Sequence, residues 1–276
     1  MKHYIIAFAS LVLLNACANS SVKDSNLLWS DEFDRSAEEI TTKWNIIEGN
    51  GCPELCGFGN NEQQYYSASE ENLAIENGVL TIKATYNEED SIFRSAKLTS
   101  EGKGDWQYAF IEVNALLPQG RGTWPAIWML PTQEGALNWP RDGEIDIMEH
   151  VGYNQGTVYG TIHTEAYNHI KGTQKTDSIK LEDLSENFHV YAIDWQKDHI
   201  SWYVDNELYH TIHRNNEGEE AWPFNKQFHL ILNFAVGGNW GGLHGVDSTI
   251  YPQEMKVDYV RVYKNKPDKL IADLNN

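Results

Sequence analysis

Three acidic side chains, Glu144, Asp146 and Glu149, stand within six consecutive residues and are separated by Ile and Met. Side chains alternate between the two faces of a β-strand, so Glu144 and Asp146 would share a face and Glu149 would point to the other. One extra residue in a β-bulge around Ile147 and Met148 would return Glu149 to the face of the other two acids. Carboxylates crowded on one surface repel one another, which raises at least one pKa and keeps a proton available near neutral pH.

This arrangement suits the hydrolysis of a glycosidic bond with retention of configuration. Such a reaction needs an ionised carboxylate as nucleophile and a protonated carboxyl as general acid, about 5–5.5 Å apart. The alternative is a solvated acidic strand face. The apolar residues between the acids argue against that alternative, because they indicate a strand that is covered on both faces.

Short strands separated by turns surround the acidic segment. Alternation rich in β-branched and aromatic residues predicts strands at 78–86, 110–115, 159–164, 188–195, 229–234 and 257–263. Residues 200–204 and 208–212 flank Asp205-Asn206 and predict a hairpin. No segment sustains an amphipathic helical period over three turns. Many short strands in one domain predict an all-β sandwich or barrel.

The composition limits the partners that the chain can bind. Its 40 acidic and 21 basic residues give a formal net charge of −19, and no basic cluster interrupts that balance. Nucleic acid is therefore not an expected partner, because phosphate contacts need clustered Lys and Arg. The 10 Trp and 14 Tyr residues could stack on sugar rings or fill a core, and composition does not separate these uses.

The beginning of the chain predicts export. The apolar run 4–14 follows a basic residue and has the length of a signal segment, too short to span a bilayer. It ends in Leu-Asn-Ala-Cys17, which resembles the bacterial lipobox, where the cysteine is acylated. Plain cleavage near Ala16 or Ala18 is the alternative. We expect a lipoprotein of the bacterial outer membrane or cell surface, held to the membrane only through its lipid anchor.

These observations divide the chain into four parts. They are a signal peptide at 1–16, a polar tether at 17–26, a catalytic domain at 27–266 and a C-terminal tail at 267–276. Two further cysteines, Cys52 and Cys56, lie in the predicted domain. Export permits a local disulfide between them, whereas a zinc site would need more ligands than this pair supplies.

The acidic segment resembles the active-site motif of glycoside hydrolase family 16, Glu-x-Asp-x-x-Glu in its bulged form, and within that family the bacterial laminarinases. Other segments are similar to family segments in the same order, at 57–66, 122–131, 235–240 and 257–263. The resemblance runs from about Leu28 to Lys264. It implies a β-jelly-roll sandwich of two antiparallel sheets with a substrate cleft across the concave sheet. It also implies a retaining endo-acting hydrolase of β-1,3-glucosidic bonds in laminarin-type β-glucan.

The resemblance also implies how the three acids divide the reaction. Glu144 would be the nucleophile, Glu149 the acid/base, and Asp146 the partner that tunes the nucleophile through a hydrogen bond. The residues that the resemblance places at the substrate cleft are Asn61, Glu62, Lys97, Trp124, Trp128, His163, Asn239 and Trp240.

Some of these positions leave alternatives open. One of Trp124 and Trp128 could belong to the core instead, and a lone His163 could be a satisfied polar residue. Lys97 stands where the family usually has Arg, so it keeps the charge but loses the bidentate fork. Phe58 stands where the family often has Trp.

The resemblance implies no cofactor for catalysis but a structural Ca²⁺. Its ligands would be the backbone carbonyls of Glu32 and Gly78 and the carboxylate of Asp258, oxygen ligands of the kind that this cation prefers. We expect a monomer. Two other functions stay open: a non-catalytic β-glucan-binding surface lipoprotein, and a sister hydrolase that acts on mixed-linkage glucan or agarose.

Overall fold

A computed structural model describes residues 26–267, and within that range the chain is built almost entirely of β-strands. In chain order the strands are β1 Leu27–Asp31, β2 Asn45–Ile47, β3 Gln64–Tyr66, β4 Leu73–Glu76, β5 Val79–Asn87, β6 Ile92–Ser95, β7 Lys97–Thr99, β8 Asp105–Trp106, β9 Ala109–Leu116, β10 Thr123–Pro131, β11 Glu144–His150, β12 Thr157–His163, β13 Lys175–Lys180, β14 His189–Trp195, β15 His199–Val204, β16 Glu207–His213, β17 Phe228–Val236 and β18 Gln253–Tyr263. Short 3₁₀ helices lie at Ala37–Thr42, Cys56–Gly59, Gly152–Asn154 and Ser248–Ile250. The all-β class is confirmed, and every strand predicted from the sequence overlaps an observed one.

The strands form two sheets that pack face to face. The ten-stranded sheet has the order β16-β15-β14-β9-β18-β5-β6-β3, with β1 paired to β18 and β4 paired to β5. The eight-stranded sheet has the order β13-β12-β11-β10-β17-β7-β2, with β8 paired to β17. Pairing among the described strands is antiparallel except between β3 and β6, which run parallel. This is the jelly-roll sandwich that the resemblance implies.

Alternation along the strands places apolar side chains between the sheets. Leu80 and Ile82 of β5 face the same core as Ile127 and Met129 of β10, and all four are fully buried. Burying a side chain of this size contributes about 1.5–3 kcal/mol to stability. In β17 every residue is buried, because one of its faces packs on the core and the other forms the floor of a cleft.

The predicted hairpin is confirmed between β15 and β16, which pair antiparallel. Its two turn residues, Asp205 and Asn206, have φ angles of +48° and +70°. A two-residue turn with both residues in the left-handed region matches the twist of the flanking strands. Asp and Asn adopt this region at low cost, which explains their presence here.

The predicted bulge in β11 is also present. Asp146 and Glu149 are three residues apart on β11, but their partners on β12, Thr161 and Tyr159, are only two residues apart. On the β10 side Ile147 has no paired residue. The side chains of Ile147 and Met148 both lie in the core. The extra residue therefore returns Glu149 to the face that carries Asp146.

A side chain of the ten-stranded sheet forms a hydrogen bond to β11 at this bulge. The indole N–H of the buried Trp202, on β15, donates to the backbone carbonyl of Asp146 at 2.8 Å. Gly160 lies against the same ring, because a Cβ at this position would stand 2.5 Å from Cδ1 of Trp202. A larger residue at position 160 would therefore push Trp202 away from the catalytic strand.

No helix among residues 26–267 has the length and apolarity needed to cross a lipid bilayer. The predicted signal peptide at 1–16 and the predicted lipidation site Cys17 lie outside the described residues, as does nearly all of the predicted tether and tail.

Candidate active site

The three acids of β11 meet in one cleft of about 600 Å³, on the face of the eight-stranded sheet that points away from the core. The residues expected at the substrate cleft also line it, with Asn61 as the exception; they are Glu62, Lys97, Trp124, Trp128, His163, Asn239 and Trp240. Trp124 and Trp128 both face the cleft, so neither is a core residue. The strand face thus carries acids, indoles and amides together, the groups that recognise and cleave a sugar polymer.

Asn61 contributes to the cleft wall without lining the cleft. Its side-chain amide donates to Oδ1 of Asn239 at 2.8 Å. The neighbouring Asn60 lines the cleft instead, and its backbone carbonyl accepts from the N–H of Asn239 at 2.7 Å. Asn61 therefore holds Asn239 in place at the cleft, and its own contact with substrate stays a prediction.

Each glutamate accepts a hydrogen bond from an indole. Nε1 of Trp139 donates to Oε2 of Glu144 at 2.9 Å, and Nε1 of Trp124 donates to Oε1 of Glu149 at 3.1 Å. Sequence reasoning placed Trp124 only as a cleft residue and missed Trp139. The one available signal was a Trp five residues before Glu144 in a loop, and sequence proximity does not say where that loop folds.

Of the three acids on β11, Asp146 is the most buried, with 2% of its surface exposed. Nε2 of His163 lies 3.5 Å from its Oδ2 and 3.7 Å from Oε1 of Glu144. Burial, with a smaller effect of the neighbouring His169, lowers the pKa of His163 to about 3. The imidazole is therefore neutral at working pH and supplies no positive charge to the acids.

Burial raises the pKa of all three carboxyls, because it removes the water that stabilises their charged forms. The charge of Glu149 raises the pKa of Glu144 further, while the Trp139 indole, the charge of Lys97 and a hydrogen bond with Asp146 lower it. Every influence on Asp146 raises its pKa, that hydrogen bond included. The hydrogen bond between these two acids therefore favours the proton on Asp146 and the ionised form of Glu144. Burial and the charge of Glu149 still raise the pKa of Glu144 to about 8.

Glu149 is suited to hold a proton of its own. Burial raises the pKa of Glu149 to about 7, and the hydrogen bond from Trp124 acts in the opposite direction. A carboxyl with this pKa is protonated in mildly acidic solution and can still lose its proton near neutrality. Those are the properties that a group needs to serve first as a general acid and then as a general base.

A chain of hydrogen bonds holds Trp128 and Glu62 on the floor of the cleft. Nε1 of Trp128 donates to Asn233 at 2.7 Å, and the amide of Asn233 donates to the hydroxyl of Tyr66 at 2.8 Å. That hydroxyl in turn donates to Oε2 of Glu62 at 3.4 Å, and Gln64 donates to the same oxygen at 2.6 Å. Sequence reasoning did not single out Asn233, Tyr66 or Gln64. Asn233 meets Tyr66 only in the folded sheets, whereas Gln64 and Tyr66 stand two and four residues after Glu62, so strand alternation could have placed them on its face.

The two departures from the family pattern meet at one point. The ammonium of Lys97 lies 4.8 Å from the ring centre of Phe58 and 4.9 Å from that of Trp128. Burial lowers the pKa of Lys97, and the carboxylates of Glu62 and Glu144 oppose that change. Cation–π contacts on two sides hold the lysine stem in place. The charge of Lys97 acts on both Glu62 and the predicted nucleophile Glu144.

The cysteine pair lies at one end of the cleft. Cys52 and Cys56 form a disulfide with a Cα–Cα distance of 4.2 Å. Leu55 and Phe58, inside and just after the disulfide loop, line the cleft. The disulfide therefore closes the loop that leads to Asn60 and Glu62.

The three residues expected to bind calcium all belong to the ten-stranded sheet or its turns. Glu32 follows β1, Gly78 precedes β5, and Asp258 lies on β18, which pairs with both strands. A Cβ at Gly78 would stand 4.0 Å from the carbonyl oxygen of Glu32. Oδ2 of Asp258 accepts from the amide of Asn114 at 3.0 Å. Carbonyl and carboxylate oxygens are the kind of ligand that a hard cation prefers.

Comparison with known proteins places these features in a family. The sequence profile described as glycosyl hydrolases family 16 matches residues 60–261, which include the three acids and nearly all of the cleft. The chain belongs to this family.

This family 16 hydrolase is 48% identical over 247 residues to a beta-glucanase from Rhodothermus marinus, across 86% of this chain and 85% of that protein. Among solved structures, the laminarinase from R. marinus matches with a TM-score of 0.82 and 47% identity, over 88% of this chain and 98% of that one. The laminarinase from Flavobacterium sp. UMI-01 matches with a TM-score of 0.80 and 40% identity, over 86% of this chain and 99% of that one. The family resemblance and the jelly-roll fold are thereby confirmed, and a family 16 hydrolase needs no cofactor for catalysis.

The pKa of Glu149 predicts the alkaline limb of the activity profile. Glu149 can protonate a leaving group only while it holds its proton, so kcat/KM should fall as pH rises through about 7. Trp124→Phe removes the N–H donor that lowers this pKa, and the alkaline limb should move to higher pH. The measurement is kcat/KM on laminarin between pH 4 and pH 10.

Trp128→Phe is the matched control, because the indole of Trp128 donates to Asn233 and to neither glutamate. Its alkaline limb should stay in place even if activity falls. An alkaline limb that is unmoved or lowered in Trp124→Phe would contradict the assignment of Glu149.

Proposed function

We propose that this family 16 hydrolase is a retaining endo-β-1,3-glucanase that acts on laminarin-type polysaccharides. The observation that carries the proposal is the pair of glutamates on one face of β11, brought there by the bulge and each held by an indole N–H. The similarity to proteins named beta-glucanase and laminarinase supports the choice of substrate.

The extent of the cleft supports action on a polymer. Side chains from β13, β12, β11, β10, β17 and β7 line it, and these are consecutive strands of the eight-stranded sheet. Strands are spaced about 4.8 Å apart, so five intervals span roughly 24 Å. That distance accommodates several consecutive sugar rings on both sides of the acids, as internal cleavage requires.

In the first step Glu144 attacks the anomeric carbon while Glu149 protonates the departing glycosidic oxygen. The C–O bond to the leaving chain breaks, and an ester bond forms between the sugar and the Glu144 carboxylate. Asp146 and Trp139 both donate to Glu144 and therefore fix the direction of its attacking oxygen.

In the second step Glu149, now ionised, takes a proton from a water molecule that attacks the same carbon. The ester bond breaks and Glu144 leaves as a carboxylate. Two inversions at one carbon leave the product in the original configuration. Formation of the ester removes one negative charge from the site, which favours the ionised form of Glu149 at this stage.

Variants of the two glutamates should separate their functions. Glu144→Ala should abolish turnover of every substrate, and azide should restore product formation from a glycosyl fluoride of α configuration, because the cavity admits a replacement nucleophile. Glu149→Ala should lose on the order of 10²–10⁴-fold on laminarin. It should still form the ester from an aryl glycoside whose leaving group needs no proton. Asp146→Asn should fall between them, since the amide still donates to Glu144 but cannot exchange a proton with it.

Deletion of Met148 is the geometric control for this pair. It removes the extra residue of the bulge, turns Glu149 to the opposite face and should be at least as inactive as Glu149→Ala. The assays measure reducing ends from laminarin, lichenan and agarose, and aryl glycoside hydrolysis. A Glu149→Ala enzyme as inactive on aryl glycosides as Glu144→Ala would contradict the assignment. Binding of laminarin without hydrolysis by the wild type would indicate a glucan-binding protein, and cleavage of lichenan or agarose alone would indicate a sister hydrolase.

We also propose a structural Ca²⁺ held by the carbonyls of Glu32 and Gly78 and the carboxylate of Asp258. A cation that binds only the folded state raises its stability. Added calcium should therefore raise the melting temperature and a chelator should lower it, while Asp258→Asn should respond to neither. Asp198→Asn, which removes a highly exposed acid elsewhere, should respond like the wild type. A wild-type melting temperature that neither calcium nor the chelator changes would contradict the proposed calcium site.

We propose that the enzyme is a monomer exported as a surface lipoprotein and anchored through Cys17. Acyl chains bury in a bilayer at about 0.8 kcal/mol per CH₂ group, so lipid attached at Cys17 would hold the enzyme to the membrane. Cys17→Ala should release the enzyme into the soluble fraction. A wild-type protein that is already soluble and carries no lipid mass would contradict the anchor.

A further inference from the structure

Glu144, Asp146 and His163 bring three ligand atoms to one point. One oxygen of each carboxylate and a ring nitrogen of His163 all lie within 4.8 Å of one another. Over residues 26–267 no other group of three His, Cys, Asp or Glu side chains converges in this way. The two measured distances, from Nε2 of His163, are 3.5 Å to Asp146 and 3.7 Å to Glu144.

These distances are too long for good hydrogen bonds, but they match the spacing of ligands around a zinc ion. Zn–N and Zn–O bonds are about 2.1 Å, so two ligands at the tetrahedral angle stand about 3.4 Å apart. One nitrogen and two carboxylate oxygens form a donor set that zinc accepts and that Ca²⁺, with its six to eight oxygen ligands, does not. Two of the three separations among the ligand atoms therefore already fit a zinc ion.

The atoms that would bind the ion are buried and point into the site. Asp146 is 2% exposed and His163 is 7% exposed. Oδ2 of Asp146, the oxygen nearest the imidazole, has no hydrogen-bond partner. The Trp139 indole occupies Oε2 of Glu144, whereas His163 faces Oε1, so an ion could bind Oε1 without displacing the indole.

We propose that Glu144, Asp146 and His163 form a binding site for Zn²⁺ or a similar borderline cation that reversibly inhibits the enzyme. The ion replaces the proton that Asp146 shares with Glu144, which passes to solvent, and it takes the oxygen of Glu144 that would otherwise attack the sugar. The Glu144 side chain is 15% exposed, so water in the cleft can reach an ion bound there. The net charge of −19 attracts cations to the protein. That the bound ion competes with glucan rests on the proposed function; the binding itself does not.

The direct test measures metal binding without activity. Calorimetry with Zn²⁺ in calcium-containing buffer should give one tight site on the wild type. His163→Gln should weaken that site by more than the roughly ten- to hundredfold that is lost when only an outer partner of a metal ligand is changed. Co²⁺ as a probe should give the intense visible bands of a tetrahedral complex with the wild type and lose them in the variant. Asp146→Asn is the second variant, in case His163→Gln does not fold.

His213→Gln is the matched control. It removes an exposed histidine whose ring centre lies 5.9 Å from that of His199, so it breaks a surface histidine pair that could bind zinc adventitiously. It should leave the tight site and the cobalt bands unchanged. Equal zinc affinity in wild type and His163→Gln, or loss of the site in His213→Gln, would overturn the proposal.

The kinetic arm measures inhibition of laminarin hydrolysis by Zn²⁺. Inhibition should be competitive with laminarin and reversed by a zinc-selective chelator. Inhibition that is independent of laminarin concentration would overturn the proposed competition. If the wild type shows the tight site but no hydrolysis, the metal site stands and the proposed function fails.

Discussion

The burial of three carboxylates on a single strand is the constraint on which the rest of the site depends. Removing an ionised carboxylate from water costs several kcal/mol unless nearby groups compensate. Here the compensation is divided: Asp146 keeps a proton and shares it with Glu144, two indoles donate to the two glutamates, and the ammonium of Lys97 supplies the nearby positive charge. Because the same burial raises the pKa of Glu149 to about 7, the feature that costs stability also produces the general acid.

The sandwich behind the strand holds this arrangement in place. The bulge turns Glu149 toward the cleft while Ile147 and Met148 remain in the core, so the apolar core fixes the position of the acids. Trp202 of the other sheet satisfies the carbonyl of Asp146. On the cleft side Trp124 both lines the substrate path and donates to Glu149, and its ring meets that of Trp240 edge to face at 5.8 Å. Substrate contacts in this wall are therefore coupled to the proton on Glu149.

The features that could be predicted from the sequence are those that depend on local pattern. The longer strands follow from period-two alternation, and the shared face of the acids follows from one inserted residue. The two-residue strand β8 is too short to show an alternation, and the parallel pair of β3 and β6 depends on a distant chain crossing. Trp139 was missed for a similar reason: it reaches Glu144 only after a loop folds back, and no spacing in the sequence records that path. Gln64 lies only two residues from Glu62, so strand alternation alone would have placed the two on one face. The sequence showed Lys97 and Phe58 as two separate departures from the family pattern, but it did not show that their side chains are in contact.

The central claim is that Glu144 attacks the sugar directly and Glu149 supplies the proton, so the reaction proceeds through two inversions. Proton NMR of laminarin during its first minutes of hydrolysis measures the configuration of the new reducing end before it equilibrates. The account predicts that the β anomer appears first and the α anomer grows in later by mutarotation. An α anomer that appears first would show a single inversion and would contradict the assignment of Glu144 as nucleophile.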